Sequence, residues 1–146
     1  MRLIIEQSDL PGEAEIVIRC GPVIDGRLQR LIEEIRLYSF AVTARRDGSV
    51  YQVEPRDIYY FESVDEKTFL YLEKEVYQCD SRLYELEEQL AGSTFVRVNK
   101  QTILNIGHLE SVRPLLNGKL EARMENGERL FVSRHYVPEF RKRFGV

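Results

Sequence analysis

Five polar residues lie within nine positions of one another in the segment FVRVNKQTILN (95–105): Arg97, Asn99, Lys100, Gln101 and Asn105. Lysine and arginine neutralise phosphates, and asparagine or glutamine can make paired hydrogen bonds to a base edge. The segment opens as a short strand over 95–98, turns through 99–101 and runs into the apolar pair Ile103 and Leu104. The cations and amides therefore sit between stretches that look anchored in a core. Local composition alone also suits an ordinary surface connection, in which polar side chains cap backbone groups.

Charge along the chain bears on the choice. The formal net charge is −3, which taken whole disfavours a polyanionic partner. Residues 1–54 hold 7 basic and 9 acidic side chains, residues 55–92 hold 4 and 10, and residues 93–146 hold 10 and 5. The C-terminal third can thus attract a polyanion that the middle third repels, as suits a partner bound on one face.

The elements that must position these residues follow from periodicity and turn chemistry. A chain of 146 residues suggests one domain with a small appended element. Residues 3–7 and 13–20 have the β-branched content of strands. An amphipathic helix follows over about 22–38, with Leu28, Leu31, Ile32 and Ile35 at helical spacing and Asp25 able to cap it if 22–24 lie outside. This ββα unit is too small to stand alone and must pack on the remainder or on another copy. A hairpin over 40–53 turns at Asp47-Gly48, and strands at 58–63, 68–73 and 76–79 continue a meander. Asp80 or Ser81 caps a helix over 82–91 that Gly92 ends. Asn117-Gly118 and Asn126-Gly127 mark two further hairpins. Ser133 is the cap expected for a last segment over 134–144, which leaves Arg141, Lys142 and Arg143 for solvent. The two cysteines, Cys20 and Cys79, fall in apparent strands and read as buried reduced thiols, with no metal spacing. No apolar run has signal-peptide or membrane-span length, so a soluble cytoplasmic protein with no membrane partner is expected. No nucleophile–base set, metal cluster or glycine-rich phosphate loop is present in the sequence, so neither an enzyme nor a cofactor is expected.

The order of the pieces resembles the LytTR family of bacterial DNA-binding domains. The residues that carry the resemblance are DIYYFES (57–63), Lys67, Tyr77, LYELEEQL (83–90), FVRVNKQTILN (95–105), the two Asn-Gly hairpins, and VSR (132–134) with Tyr136 and Phe140. It covers about residues 40–146. It implies a mostly β, elongated fold of small packed antiparallel sheets with a short helix, here preceded by the ββα extension over 1–39. It implies a transcription regulator acting on double-stranded DNA. The usual receiver domain has no counterpart in residues 1–39, so the chain looks like the stand-alone members. Their control would rest on abundance, dimerisation or a protein regulator.

The resemblance assigns base contacts to Lys67, Asn105 and Arg134, and phosphate contacts to Arg97 and Lys100, with Asn99, Gln101, Ser133, His135 and Arg141 as further candidates. Each assignment has a structural competitor. Arg134 can grip guanine through O6 and N7 or pair with Glu139. Asn105 can grip adenine or tie down backbone before Gly107. Lys67 can meet a base or pair with the adjacent Asp65 and Glu66. Loops, not a recognition helix, are expected to enter successive major grooves, with a homodimer on tandem or repeated sites. The competing function is a β-rich interaction or sensor module that has lost DNA binding.

Overall fold

The structure is a computed structural model that describes residues 1–12, 14–38 and 41–145. Ser39 and Phe40, which hold the expected boundary between extension and domain, lie outside the described residues, as do Glu13 and Val146. A helix, α1 (Gly26–Leu37), is followed by a hairpin of β1 (Val42–Arg46) and β2 (Ser49–Val53). Then come β3 (Tyr60–Val64), β4 (Lys67–Tyr71) and β5 (Val76–Cys79), and the short helix α2 (Leu83–Gln89). A second half holds β6 (Phe95–Asn99), β7 (Thr102–Asn105), β8 (Leu109–Pro114), β9 (Leu120–Met124), β10 (Arg129–Val132) and α3 (Val137–Phe144).

Every strand pairing is antiparallel. One sheet has seven strands in the order β2-β1-β5-β4-β3-β7-β6, and the other has three in the order β10-β9-β8. The expected mostly β class of packed antiparallel sheets is what the chain forms. The larger sheet is apolar on both faces where it matters. On one face Phe61, Leu70, Phe95 and Ile103 pack under Leu83 and Leu86 of α2 and Leu90 just after it, with Leu37 of α1. On the other, Tyr60, Val96, Val98 and Leu104 meet Leu120, Met124, Leu130 and Val132 of the small sheet and Phe140 of α3. Neighbouring strand residues point to opposite faces, so Ile103 and Leu104 feed different cores. That is why β7 is buried throughout.

The hairpin turns follow their sequences. Asp47 and Gly48, between the paired Arg46 and Ser49, have φ of 52° and 80°, the left-handed pair that a two-residue hairpin requires. Asn117 and Gly118, at φ 66° and 74°, end the longer link Leu116–Gly118, closed by the Leu115 N–H donating to the Lys119 carbonyl. At Asn126-Gly127 only the glycine is left-handed, at φ 90°. Asp65 and Glu66 form a left-handed pair between β3 and β4, at φ 50° and 66°. Neither is glycine, so that turn holds strain, of which Glu66 carries the larger share.

Three expectations need correction. Residues 3–7 and 14–20 form no strands: they are exposed and join no ladder. A strand requires a hydrogen-bonded neighbour, and β-branched composition supplies only the preference for one. Among the described residues only the helix of the expected ββα unit is present, and Cys20 is accordingly exposed while Cys79 is buried. At α2 the capping position is Arg82, whose N–H donates to Oε1 of Glu85 at 2.9 Å. Ser133 does not cap a helix through its side chain; a single 3-10 turn, Arg134–Tyr136, precedes α3. The conditional reading of α1 is met: Asp25 Oδ1 accepts the Leu28 N–H at 2.9 Å. The helix is tied to the domain by buried Glu33, which pairs with Arg143 at 3.5 Å, while Arg143 also donates to the Ser93 carbonyl.

Candidate nucleic-acid interface

Sheet register decides which loops share an end of the molecule. Val64 pairs with Lys67, and Glu62 pairs with Thr102. The β3–β4 turn and the β6–β7 turn thus project from the same end, and the Ser63 N–H donates to the Gln101 carbonyl at 2.8 Å to join them. Two strand spacings separate the turn centres, about 10 Å, which is close to three base-pair steps. The Ser133 N–H donates to the Val98 carbonyl at 2.9 Å, which places the junction after β10 beside the end of β6. The side chain of Arg134 lies along Gly118, where a Cβ would stand 3.2 Å from its Cδ. The β8–β9 turn is therefore the wall behind Arg134.

The side chains at this end divide into those that hold the loops and those that face outward. Arg97 donates from Nε to the Asn99 carbonyl at 2.8 Å, from Nη2 to the Lys100 carbonyl at 2.5 Å, and from Nη1 to Glu87 at 2.7 Å. Asn99 accepts the Gln101 N–H at 2.8 Å and donates to the Phe131 carbonyl at 2.9 Å. Both were expected on phosphates. Their polar atoms instead fix the β6–β7 turn from inside. Lys100 and Gln101 stand at its tip, exposed.

Lys67, Arg134 and His135 are also exposed. Among the described residues the side chains of Lys67, Lys100 and Arg134 make no ion pair or hydrogen bond. The competing pairs, Lys67 with Asp65 or Glu66 and Arg134 with Glu139, are not formed. Ser133 is half-buried, and Arg141 is exposed, one turn into α3, about 6 Å along its axis. The acidic Asp65 and Glu66 share this end, and the Glu66 carbonyl accepts from Arg82 at 3.2 Å. A turn that displays two carboxylates repels phosphate but can accept from cytosine N4.

Asn105 is placed elsewhere. Its partner in the ladder is Phe95, at the far end of β6, about 10 Å from the β6–β7 turn. It is 2% exposed. Its Oδ1 accepts from the Thr94 hydroxyl at 2.6 Å and the Gly107 N–H at 2.9 Å, and its Nδ2 donates to the Ile58 carbonyl at 2.9 Å. The base contact expected of it is incompatible with this position; it is a buried tie between loops. Lys119, exposed and unpaired beside Gly118, escaped the sequence reading. The Asn117-Gly118 signal marks its turn, but only the packing of the two sheets brings that turn to Arg134. Among the described residues no cluster of histidine, cysteine, aspartate or glutamate could hold a metal ion, and no helix is long and apolar enough to cross a membrane.

A family model described as the LytTr DNA-binding domain matches residues 48–145. The chain belongs to this family. Among solved structures it is similar to the LytTr DNA-binding domain of a protein named as a methyl-accepting/DNA response regulator from Bacillus cereus. The TM-score is 0.70 and the identity 29%, over 74% of this chain and 99% of that one. Among curated proteins, this LytTR chain is 28% identical over 108 residues to the sensory transduction protein LytT of Enterococcus faecalis, covering 74% of this chain and 45% of that one. It is 33% identical over 96 residues to LytT of Bacillus anthracis, covering 66% and 39%. It thus spans less than half the length of these relatives. An uncharacterised HTH-type transcriptional regulator of Staphylococcus aureus matches at 23% over 128 residues, 86% of each chain.

Proposed function

We propose that this LytTR chain is a sequence-specific, double-stranded DNA-binding transcription regulator that reads the major groove with loops. The observation that carries the reading is the convergence of Lys67, Lys100 and Arg134, distant in sequence, at one end of the larger sheet with their charges unpaired. An unpaired guanidinium on a fixed turn suits a bidentate contact to guanine, worth about 1–3 kcal/mol of discrimination. Lys100 takes the place first expected of Asn105, because it stands at the exposed tip that Arg97 and Asn99 hold. Lys67 reads or steers at the β3–β4 turn. Gln101, Ser133, His135, Lys119 and Arg141 flank these positions and supply phosphate or sugar contacts. Two copies bind as a homodimer on repeated sites a whole number of helical turns apart.

The test is a mobility shift on the DNA upstream of the protein's own gene, with excess nonspecific competitor, comparing the wild type with Arg134→Ala. Loss of a discrete complex, on the order of tenfold or more, with an unchanged circular dichroism spectrum supports base readout by Arg134. Equal binding by both removes Arg134 from that role. A genomic selection with the wild type that recovers no preferred sequence would sink the DNA-binding reading itself.

A further inference from the structure

Residues 14–20, Ala-Glu-Ile-Val-Ile-Arg-Cys, have strand composition and no strand partner. Among the described residues no backbone group of residues 14–24 makes a hydrogen bond within the protein. Ile16, Val17 and Ile18 are 68%, 58% and 38% exposed. They are part of a set: nine large apolar side chains between Leu3 and Ile24 are exposed. At roughly 60 Å² apiece they offer on the order of 500–600 Å² per copy before any backbone is counted. A standard interface covers about 800 Å² per partner. Exposed apolar surface of that extent marks an interaction site.

The sequence of the segment says what covers it. Read outward from Val17 it is nearly a mirror image: isoleucine on both sides, then Glu15 and Arg19, then the small residues Ala14 and Cys20. Antiparallel pairing of two copies about Val17 sets Ile16 opposite Ile18, Glu15 opposite Arg19, and Ala14 opposite Cys20. Each heterotypic pair occurs twice across the two-fold axis, as an isologous contact demands. One face of the ribbon is then wholly apolar, and the other carries two opposite-charge pairs around Val17. A slip of one residue sets Glu15 opposite Ile18 or Cys20. Parallel pairing in register sets Glu15 against Glu15.

We propose that residues 14–20 of two copies of this chain pair antiparallel about Val17, making a two-fold β-ribbon through which the protein self-associates. The apolar stretch over 3–5 lies close enough in sequence to cover the ribbon's apolar face. The inference deepens the homodimer of the functional reading but needs no DNA, so the two fail separately.

The experiment is sedimentation equilibrium of the full chain without DNA, for the wild type, Glu15→Lys, Arg19→Glu and an equimolar mixture of the two variants. Each variant alone opposes like charges twice across the axis, and its self-association weakens about tenfold. The mixture restores opposite charges at both positions and recovers wild-type association. Both side chains are exposed, so at a concentration where the wild type is monomeric both variants keep its melting curve. A wild type that stays monomeric over the accessible concentration range overturns the proposal. So do variants that associate as tightly as the wild type, or a mixture that associates no better than its components. A single-site duplex in the same buffers reports separately whether DNA binding survives.

Discussion

At the scale of single residues, burial separates two groups that composition had merged. Arg97, Asn99, Lys100, Gln101 and Asn105 look equivalent as a sequence, and three of the five hold the protein together. Asn105→Ala leaves the Ile58 carbonyl, the Thr94 hydroxyl and the Gly107 N–H to find other partners. It should cost about 2–3 kcal/mol of stability, read as a lower urea midpoint. Lys100→Ala should leave that midpoint in place and relax discrimination between the preferred site and a mismatched one, by about 1–3 kcal/mol. The opposite pattern would return Asn105 to the DNA surface. Glu66 tells of a different cost. A non-glycine residue at φ 66° is strained, so Glu66→Gly should stabilise the fold by about 1 kcal/mol. No loss of specificity is required by that change unless the Glu66 carboxylate itself touches a base. The division among the five polar residues was not legible in the sequence. It depends on which strand end each occupies, and that is set by a register between β6 and β7 that local chemistry does not encode.

Among elements, turn chemistry was the most legible signal. Asp47-Gly48 and Asn117-Gly118 sit in the left-handed turns their sequences demand, and the meander between them follows. The start of α1 was also readable, because Asp25 is an oxygen acceptor at the right place before an apolar stripe. Asp25→Ala should destabilise that helix by about 1 kcal/mol. Faster amide exchange confined to residues 26–37 would register it, with β3 and β7 unchanged. Uniformly faster exchange would mean that α1 unfolds only with the whole domain. The strands expected at 3–7 and 13–20 are absent over the described residues, for a reason that applies to any sequence reading. Alternation and β-branching describe a chain ready to pair, and the partner belongs to tertiary or quaternary structure. The junction at 133–136 was misread more mildly: a serine before a helical pattern signals a cap, but the first turn is 3-10 and the hydroxyl is not used.

For the whole molecule, net charge concealed a polarity that folding sharpens. Lys67 comes from the acidic middle third and yet joins the cations of the basic third at one end of the sheet. Ionisation inside the fold also sets a limit at high pH. The Tyr71 hydroxyl donates to Glu62 at 3.0 Å. Burial, then this bond to Glu62, pushes its pKa up to about 12, and the stacked Tyr60 is raised as well, chiefly by burial. An unfolded tyrosine ionises near pH ~10. The stability from keeping these phenols neutral is complete below that pH and is lost as pH rises through the folded values. The urea midpoint should therefore fall between pH ~10 and ~12, and less steeply in Tyr71→Phe. A flat midpoint over that range would show that the phenols do not govern it. The five bonds that Arg97 and Asn99 make around the β6–β7 turn have a calorimetric consequence. A tip already frozen in the free protein orders nothing further when it meets a duplex. The heat capacity change of binding should then match the surface buried between two rigid bodies, without the excess that accompanies coupled folding.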